Sequence, residues 1–167
     1  FDARFSAMAR RYRYVIYNDQ IRPAHMAEEV TWNHRPLDAS RMREAARHLV
    51  GTHDFTSFRA VQCQAKSPVR VVHSVSVERR GEVLLFDFHA NAFLHHMIRN
   101  LVGSLVFVGK GRRPVGWMAE LLAARNRSLA APTFAPDGLY LCGVDYPPQW
   151  PLPGGGRIIA PPQLLLP

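Results

Sequence analysis

Apolar and polar positions alternate along residues 10–18 (RRYRYVIYN): Tyr12, Tyr14 and Ile16 fall on one side, Arg11, Arg13 and Val15 on the other. A period of two predicts a β-strand. Residues 37–51 (LDASRMREAARHLVG) change period and place Ala39, Met42, Ala45, Ala46 and Leu49 on one face of a helix, with Asp38 to cap its start and Gly51 its end. Residues 52–70 sustain neither period and read as a long loop, a length usually kept for function or mobility. Residues 71–90 (VVHSVSVERRGEVLLFDFHA) predict a hairpin turning near Arg80 and Gly81. Residues 92–108 predict a helix that the Gly-Lys-Gly of 109–111 ends, and Pro114 suits the first turn of another. Residues 138–146 (GLYLCGVDY) predict a last strand.

The order β-α-β-β-α-(α)-β gives the fold class: α+β, a ferredoxin-like, split-βαβ domain with a mainly antiparallel sheet and helices on one face. The domain is expected over residues 1–147. The last 21 residues hold 7 of the 13 prolines and the run Gly154-Gly155-Gly156, so 148–167 reads as an extended or disordered tail. Since the first residue is Phe1 and not Met, the sequence is expected to be part of a longer product.

Charge narrows the partners. The formal net charge is +8, carried by 19 Arg and 2 Lys against 13 acidic residues, with a sequence pI of about 10.3. Such a surface favours polyanions, nucleic acid before membrane. A genome that prefers arginine would explain Arg over Lys, but not the excess of base over acid. Two cysteines without a CxxC suggest neither a disulfide framework nor structural zinc, and fit a reducing compartment, so a cytoplasmic location is expected. No apolar run reaches the ~18 residues of a membrane span.

The stretch ANAFLHHMIRN (90–100) sets two histidines and an arginine in apolar surroundings. On a helix, Leu94, Met97, Ile98, Leu101, Leu105 and Val108 make an apolar stripe, flanked by a polar one of His95, His96, Arg99 and Asn100. Adjacent histidines point about 100° apart on a helix, and no carboxylate follows at helical spacing, so no metal site is expected. The histidines read as partly buried and hydrogen-bonded. Arg99 stays charged at any working pH and calls for an anion, either a carboxylate or a ligand phosphate.

Four stretches carry a resemblance: ARFSAMARRYRYVIYN (3–18), HDFTSFRAVQC (53–63), ANAFLHHMIRNLVGSL (90–105) and ELLAARNRSLAAPTFAPDGLYLCGVDYP (120–147). Together, in this order, they resemble the tRNA pseudouridine synthase A family. The resemblance implies an isomerase that turns uridine into pseudouridine in the tRNA anticodon stem-loop, working as a homodimer without metal or organic cofactor. It also implies that the target base is flipped from its stack. By resemblance Tyr12 stacks on the flipped uracil and its hydroxyl assists proton removal, although an aromatic on a sheet face is ordinarily only packing. Arg99 matches the arginine that pairs with the nucleophilic aspartate and holds it ionised. Leu94 is expected to line the same pocket, with Leu139 at its edge.

The family's nucleophile belongs to a Gly-Arg-Thr-Asp stretch, and no Arg-Thr-Asp occurs among these residues. None of the seven aspartates has that context; Asp54 lies in a different motif. The sequence therefore resembles the C-terminal part of such an enzyme, lacking an N-terminal domain and inactive alone. Arg10, Arg11, Arg13, Arg59, Lys66 and Arg70 are candidate phosphate contacts, each of which could equally be a solvated surface charge. Phe55 and Phe58 are expected to anchor their loop. The competing readings are a non-catalytic RNA-binding module of the same architecture and a dimerisation domain with incidental charge. RRGEVLLFDFHA lacks the RNA-recognition signature that the first would carry.

Overall fold

The alternating stretch forms β1 (Ala9–Tyr17) at the heart of a six-stranded sheet in the computed structural model, which describes residues 1–150 and 152. The remaining elements are β2 (Thr31–Trp32), α1 (Ala39–Ala46), β3 (Gly51–Asp54), β4 (Val69–Arg80), β5 (Val83–Ala90), α2 (Met97–Gly109), α3 (Trp117–Ala124) and β6 (Leu139–Asp145). The sheet runs β2-β1-β5-β4-β3. β6 pairs antiparallel with residues 9–14 of β1, and β2 pairs parallel with Ile16 and Tyr17, so both share the edge of β1 away from β5. Every other pairing is antiparallel. The expected α+β order is present, with β2 and β3 as short additions. The tail expected at 148–167 lies, apart from 148–150 and 152, outside the described residues.

Strand alternation sorts the sheet into two faces. Tyr14, Ile16, Leu84, Phe86 and Phe88 face the helices and pack with Met42 of α1, Met97, Leu101 and Leu105 of α2, and Met118 and Leu121 of α3. Each fully buried side chain of this size contributes roughly 1.5–3 kcal/mol. On the other face Val15, Val83 and Leu85 pack with Met26 and Val30 from the segment before β2, with Tyr17 and Tyr140 partly buried against them. Beyond that small cluster the second face is charged: Arg13 forks onto Asp87 at 2.7 and 2.9 Å, and Arg80 onto Glu78.

Three expectations are corrected. The predicted 52–70 loop contains β3, which pairs with the start of β4, and a 3-10 turn at Thr56–Phe58. β3 is a short, polar edge strand with no period to read. Phe55 and Phe58 are fully buried, as expected. The helix predicted over 37–51 keeps its Asp38 cap, 3.0 Å from the Arg41 amide, but tightens into a 3-10 turn after Ala46. The helix predicted from residue 92 begins only at Met97, because His96 adopts a left-handed conformation (φ 59°) that interrupts it. His95 therefore precedes the helix, and the four-residue spacing to Arg99 does not place the two on one helical face.

Gly138 fixes how β6 enters the sheet. Its φ is +82°, its carbonyl accepts from the Val15 amide at 2.8 Å, and an added Cβ would collide with the Val15 carbonyl oxygen. Gly138→Ala meets both a left-handed backbone and a backbone clash, so a loss of about 2–4 kcal/mol is expected. Urea denaturation checks this. A midpoint unchanged from the parent would show that the β6 entry can rearrange freely.

Candidate active site

The site is built where β1 and β6 face the start of α2. Tyr12 lies on the helix-facing side of β1, between Phe88 of β5 and Leu141 of β6. Its ring is partly buried and meets Phe93 edge to face, with centroids 5.2 Å apart. Leu141, beside it, is 44% exposed, which leaves an apolar shelf open at the surface. Leu94 follows Phe93 and is buried in the main core, while Leu139 is partly buried against that core next to Tyr14. Tyr12, Leu94 and Leu139 thus all pack against the main core on the helix-facing side of the sheet.

The left-handed turn at His96 sets Arg99 in the first turn of α2. There its Nε donates to the Phe134 carbonyl at 2.8 Å, and the Phe134 amide returns a bond to the Arg99 carbonyl. Among the described residues no carboxylate lies within ion-pair distance of Arg99, and its terminal nitrogens make no hydrogen bond to the protein. One edge of the guanidinium is held while the other remains available to an anion. Its charge reaches Tyr14, whose hydroxyl is pushed up chiefly by burial and stays protonated at any working pH. That hydroxyl donates to the Ala135 carbonyl at 2.6 Å and lies 2.5 Å from the Thr31 hydroxyl, fixing the strap that carries Phe134.

Asn100 is the polar hub behind Arg99, and sequence reading placed it only in the polar stripe beside the apolar one. It is fully buried. Its Nδ2 donates to the Phe58 carbonyl, and its Oδ1 accepts from Thr133 (2.7 Å) and Arg127 (3.0 Å). Gly103, one turn on, lets the Pro132 carbonyl approach the helix where a Cβ would sit at 2.7 Å. Together they seat residues 127–134 on α2 and so position the Phe134 carbonyl. An asparagine in an apolar run was the available signal, since a buried amide must find partners.

The histidines are neighbours of the site. Their rings stack with centroids 3.9 Å apart, and burial, His95 and Arg99 hold His96 below the usual histidine range. Among the described residues no group of three or more His, Cys, Asp or Glu could hold a metal ion. Asp54 binds the Thr56 amide and hydroxyl and lies 3.6 Å from Arg125; burial would raise its carboxyl, but these contacts outweigh it and hold it low. It ends β3 and is turned to local structure.

The basic candidates divide. Arg11 and Arg13 lie on the far face of the sheet, paired with Asp145 (3.0 Å) and Asp87. Arg10 shares the Tyr12 face, Arg59 and Lys66 belong to the segment leading into β4, and Arg70 is the second residue of β4. A separate cleft of about 230 Å³, lined by Arg22, Trp32, Ala135 and Asp137 among others, opens beyond β2. No helix among the described residues is long and apolar enough to cross a membrane.

Comparison with known proteins adds identity to this geometry. A family model described as tRNA pseudouridine synthase matches residues 45–147. The tRNA pseudouridine synthase A of Aromatoleum aromaticum is 62% identical over 164 residues, 98% of this chain and 62% of that protein. The enzyme of the same name from Pseudomonas aeruginosa is 63% identical over 153 residues, 92% of this chain and 54% of that protein. That from a Janthinobacterium species is 56% identical over 153 residues, covering 92% and 56%. The chain spans between half and two thirds of the length of these relatives.

Proposed function

Because the chain belongs to the tRNA pseudouridine synthase family, we propose that it is one half of the active site of an enzyme isomerising uridine to pseudouridine in the tRNA anticodon stem-loop. The observation that carries this reading is the half-satisfied Arg99 fork on α2, the helix packed on the same side of the sheet as the open tyrosine shelf. The reaction breaks the bond from the ribose C1′ to N1 of uracil, turns the base and joins C1′ to C5; the C5 proton leaves and N1 gains one. A carboxylate nucleophile must meet the ribose or the base, and a cation must keep it ionised and aimed. Arg99 is that cation, with Nε anchored on Phe134 and its terminal nitrogens turned to the carboxylate.

The carboxylate comes from a segment outside these 167 residues. Tyr12 supplies the flat surface that holds the loose uracil, and Phe93 buttresses it. Leu94 and Leu139 exclude water beside it. No metal or organic cofactor enters this scheme. The complete protein works as a homodimer in the cytoplasm, with tRNA as its partner.

The complete protein should form pseudouridine in an unmodified tRNA transcript, and only within the anticodon stem-loop. Mapping of the product at nucleotide level reads this; a protein that leaves every uridine intact overturns the reading. Tyr12→Phe in the same protein should slow single-turnover formation by roughly 10²-fold, the scale of a lost proton-transfer group, with tRNA binding kept. Tyr12→Leu should weaken binding of the flipped base as well. Full activity of Tyr12→Phe would leave Tyr12 as a stacking surface without a proton role.

A further inference from the structure

We propose that Arg10, Arg59 and Arg70 form a binding site for RNA phosphodiesters, which grips the strand next to the base held on the Tyr12 shelf. The three come from separate parts of the sequence and meet where β1 and β4 begin. Arg10 donates to the Asn91 carbonyl at 2.8 Å. Asn91 is in turn laced to Val71, next to Arg70, through its side chain and amide at 2.9 and 3.0 Å. Arg59 donates to the carbonyls of Cys63 and Ala65, both at 2.7 Å, and so curls the segment before β4 back on itself. The Ala60 amide ties that segment to the His95 carbonyl at 3.1 Å, beside the active site.

The chemistry of the cluster is one-sided. Among the described residues none of these three guanidinium groups has a carboxylate within ion-pair distance: they bind backbone carbonyls, and the one ionisable acid beside them is the Cys63 thiol, which burial would raise but Arg59 helps to hold below its usual range. Arg11 and Arg13, one strand face away, are both neutralised by aspartates. Like charges held together by neutral acceptors repel one another, and that repulsion is relieved when an anion arrives. The Nε of Arg70, like that of Arg11, is buried with no hydrogen-bond partner among the described residues. Burial, with Arg59 and Arg10 nearby, makes Arg70 easier to deprotonate than a free arginine.

Position selects RNA as the anion. Arg10 precedes Tyr12 by two residues, so the cluster and the shelf share one face of β1. Asn91, which Arg10 grips, precedes Phe93 by two residues. An aromatic shelf continued by a cationic patch is the arrangement that holds a single-stranded nucleic acid, with bases on rings and phosphates on arginines. This inference rests on the reading of the chain as an RNA-modifying protein and adds which surface carries the backbone.

The test is anisotropy titration of a labelled anticodon stem-loop RNA with the 167-residue chain at several salt concentrations. Arg59→Gln and Arg70→Gln should each lower the slope of log Kd against log salt by about 0.7–0.9, the value of one lost phosphate contact. Arg59→Lys and Arg70→Lys keep the charge and should keep most of the slope. Arg80→Gln, which removes a charge already paired with Glu78 at the far end of the β4–β5 hairpin, should leave it near the parent value. Should a glutamine variant not fold, the parent chain gives a second readout. RNA should protect Arg59 and Arg70, but not Arg112, from an arginine-specific dicarbonyl reagent followed by mass spectrometry.

Parental slopes in the glutamine variants, equal losses in Arg80→Gln, or unprotected Arg59 and Arg70 would each overturn the site. So would a parent chain that binds no RNA at low salt. Pseudouridine formation by the complete protein tests the enzyme reading separately. A protein that modifies tRNA while its arginine variants keep the parental slope removes this cluster alone.

Discussion

Arg99→Lys in the complete enzyme is expected to lower the rate of pseudouridine formation by at least about 10²-fold, the scale of a lost electrostatic stabiliser, while tRNA affinity changes little. The reason lies in the geometry of the guanidinium. Its Nε is committed to the Phe134 carbonyl, which fixes the plane of the group and leaves the terminal nitrogens aimed outward. A lysine keeps the charge but has a single nitrogen on a flexible stem. It can bond to Phe134 or to the incoming carboxylate, without the rigid fork that orders both. Single-turnover kinetics with saturating enzyme separates the chemical step from binding. Turnover within about threefold of the parent, under 1 kcal/mol, would mean that charge alone suffices and the Phe134 anchor is incidental.

The 167-residue chain by itself should make no pseudouridine above an RNA-only control. Six of its seven aspartates are already engaged: Asp2 with the amides of Arg4 and Phe5, Asp19 with Gln20, Asp38 as the cap of α1, Asp54 with Thr56, Asp87 with Arg13, and Asp145 with Arg11 and His89. Asp137 is the exception. Its carboxylate makes no hydrogen bond among the described residues, and it lines the cleft beyond β2 instead of the Tyr12 shelf. The assay is pseudouridine mapping after long incubation with excess protein. Measurable turnover would identify Asp137 as the group to replace first, and would overturn the assignment of the nucleophile to a separate segment.

Much of the fold was legible because its signals are local. The alternation around Tyr14 and the clean hairpin at Gly81 each predict an element within a residue or two of its observed bounds. β2 and β3 were not, because strands of two and four residues draw their stability from neighbours that sequence order does not reveal. The start of α2 was misplaced for a related reason. Residues 92–96 have helical spacing, yet His96 turns left-handed, and the bond from the Met97 amide to the Leu94 carbonyl closes a turn in place of a helix. Such a conformation is uncommon outside glycine and leaves no composition signal. At the site, Arg99 drew notice as a permanent charge beside an apolar stripe, and Tyr12 through motif resemblance. Asn100, Thr133 and Arg127 did not, because their role is to hold one another, and 27 residues separate Asn100 from Arg127.

β6 carries one residue more than its pairing needs. Gly143 faces Arg11 and Leu141 faces Tyr12, so Cys142 stands between them without a partner in β1. Excising Cys142 would close the ladder while leaving every other cross-strand neighbour as it is. What would change is the bend, since an unpaired residue of this kind sharpens the local twist of its strand, here directly beside the Tyr12 ring. Most substitutions near a binding surface alter what a side chain touches and how it is aimed at the same time. This position separates the two: a one-residue deletion changes the bend of β6 beside the tyrosine and exchanges none of its neighbours along β5 and β6.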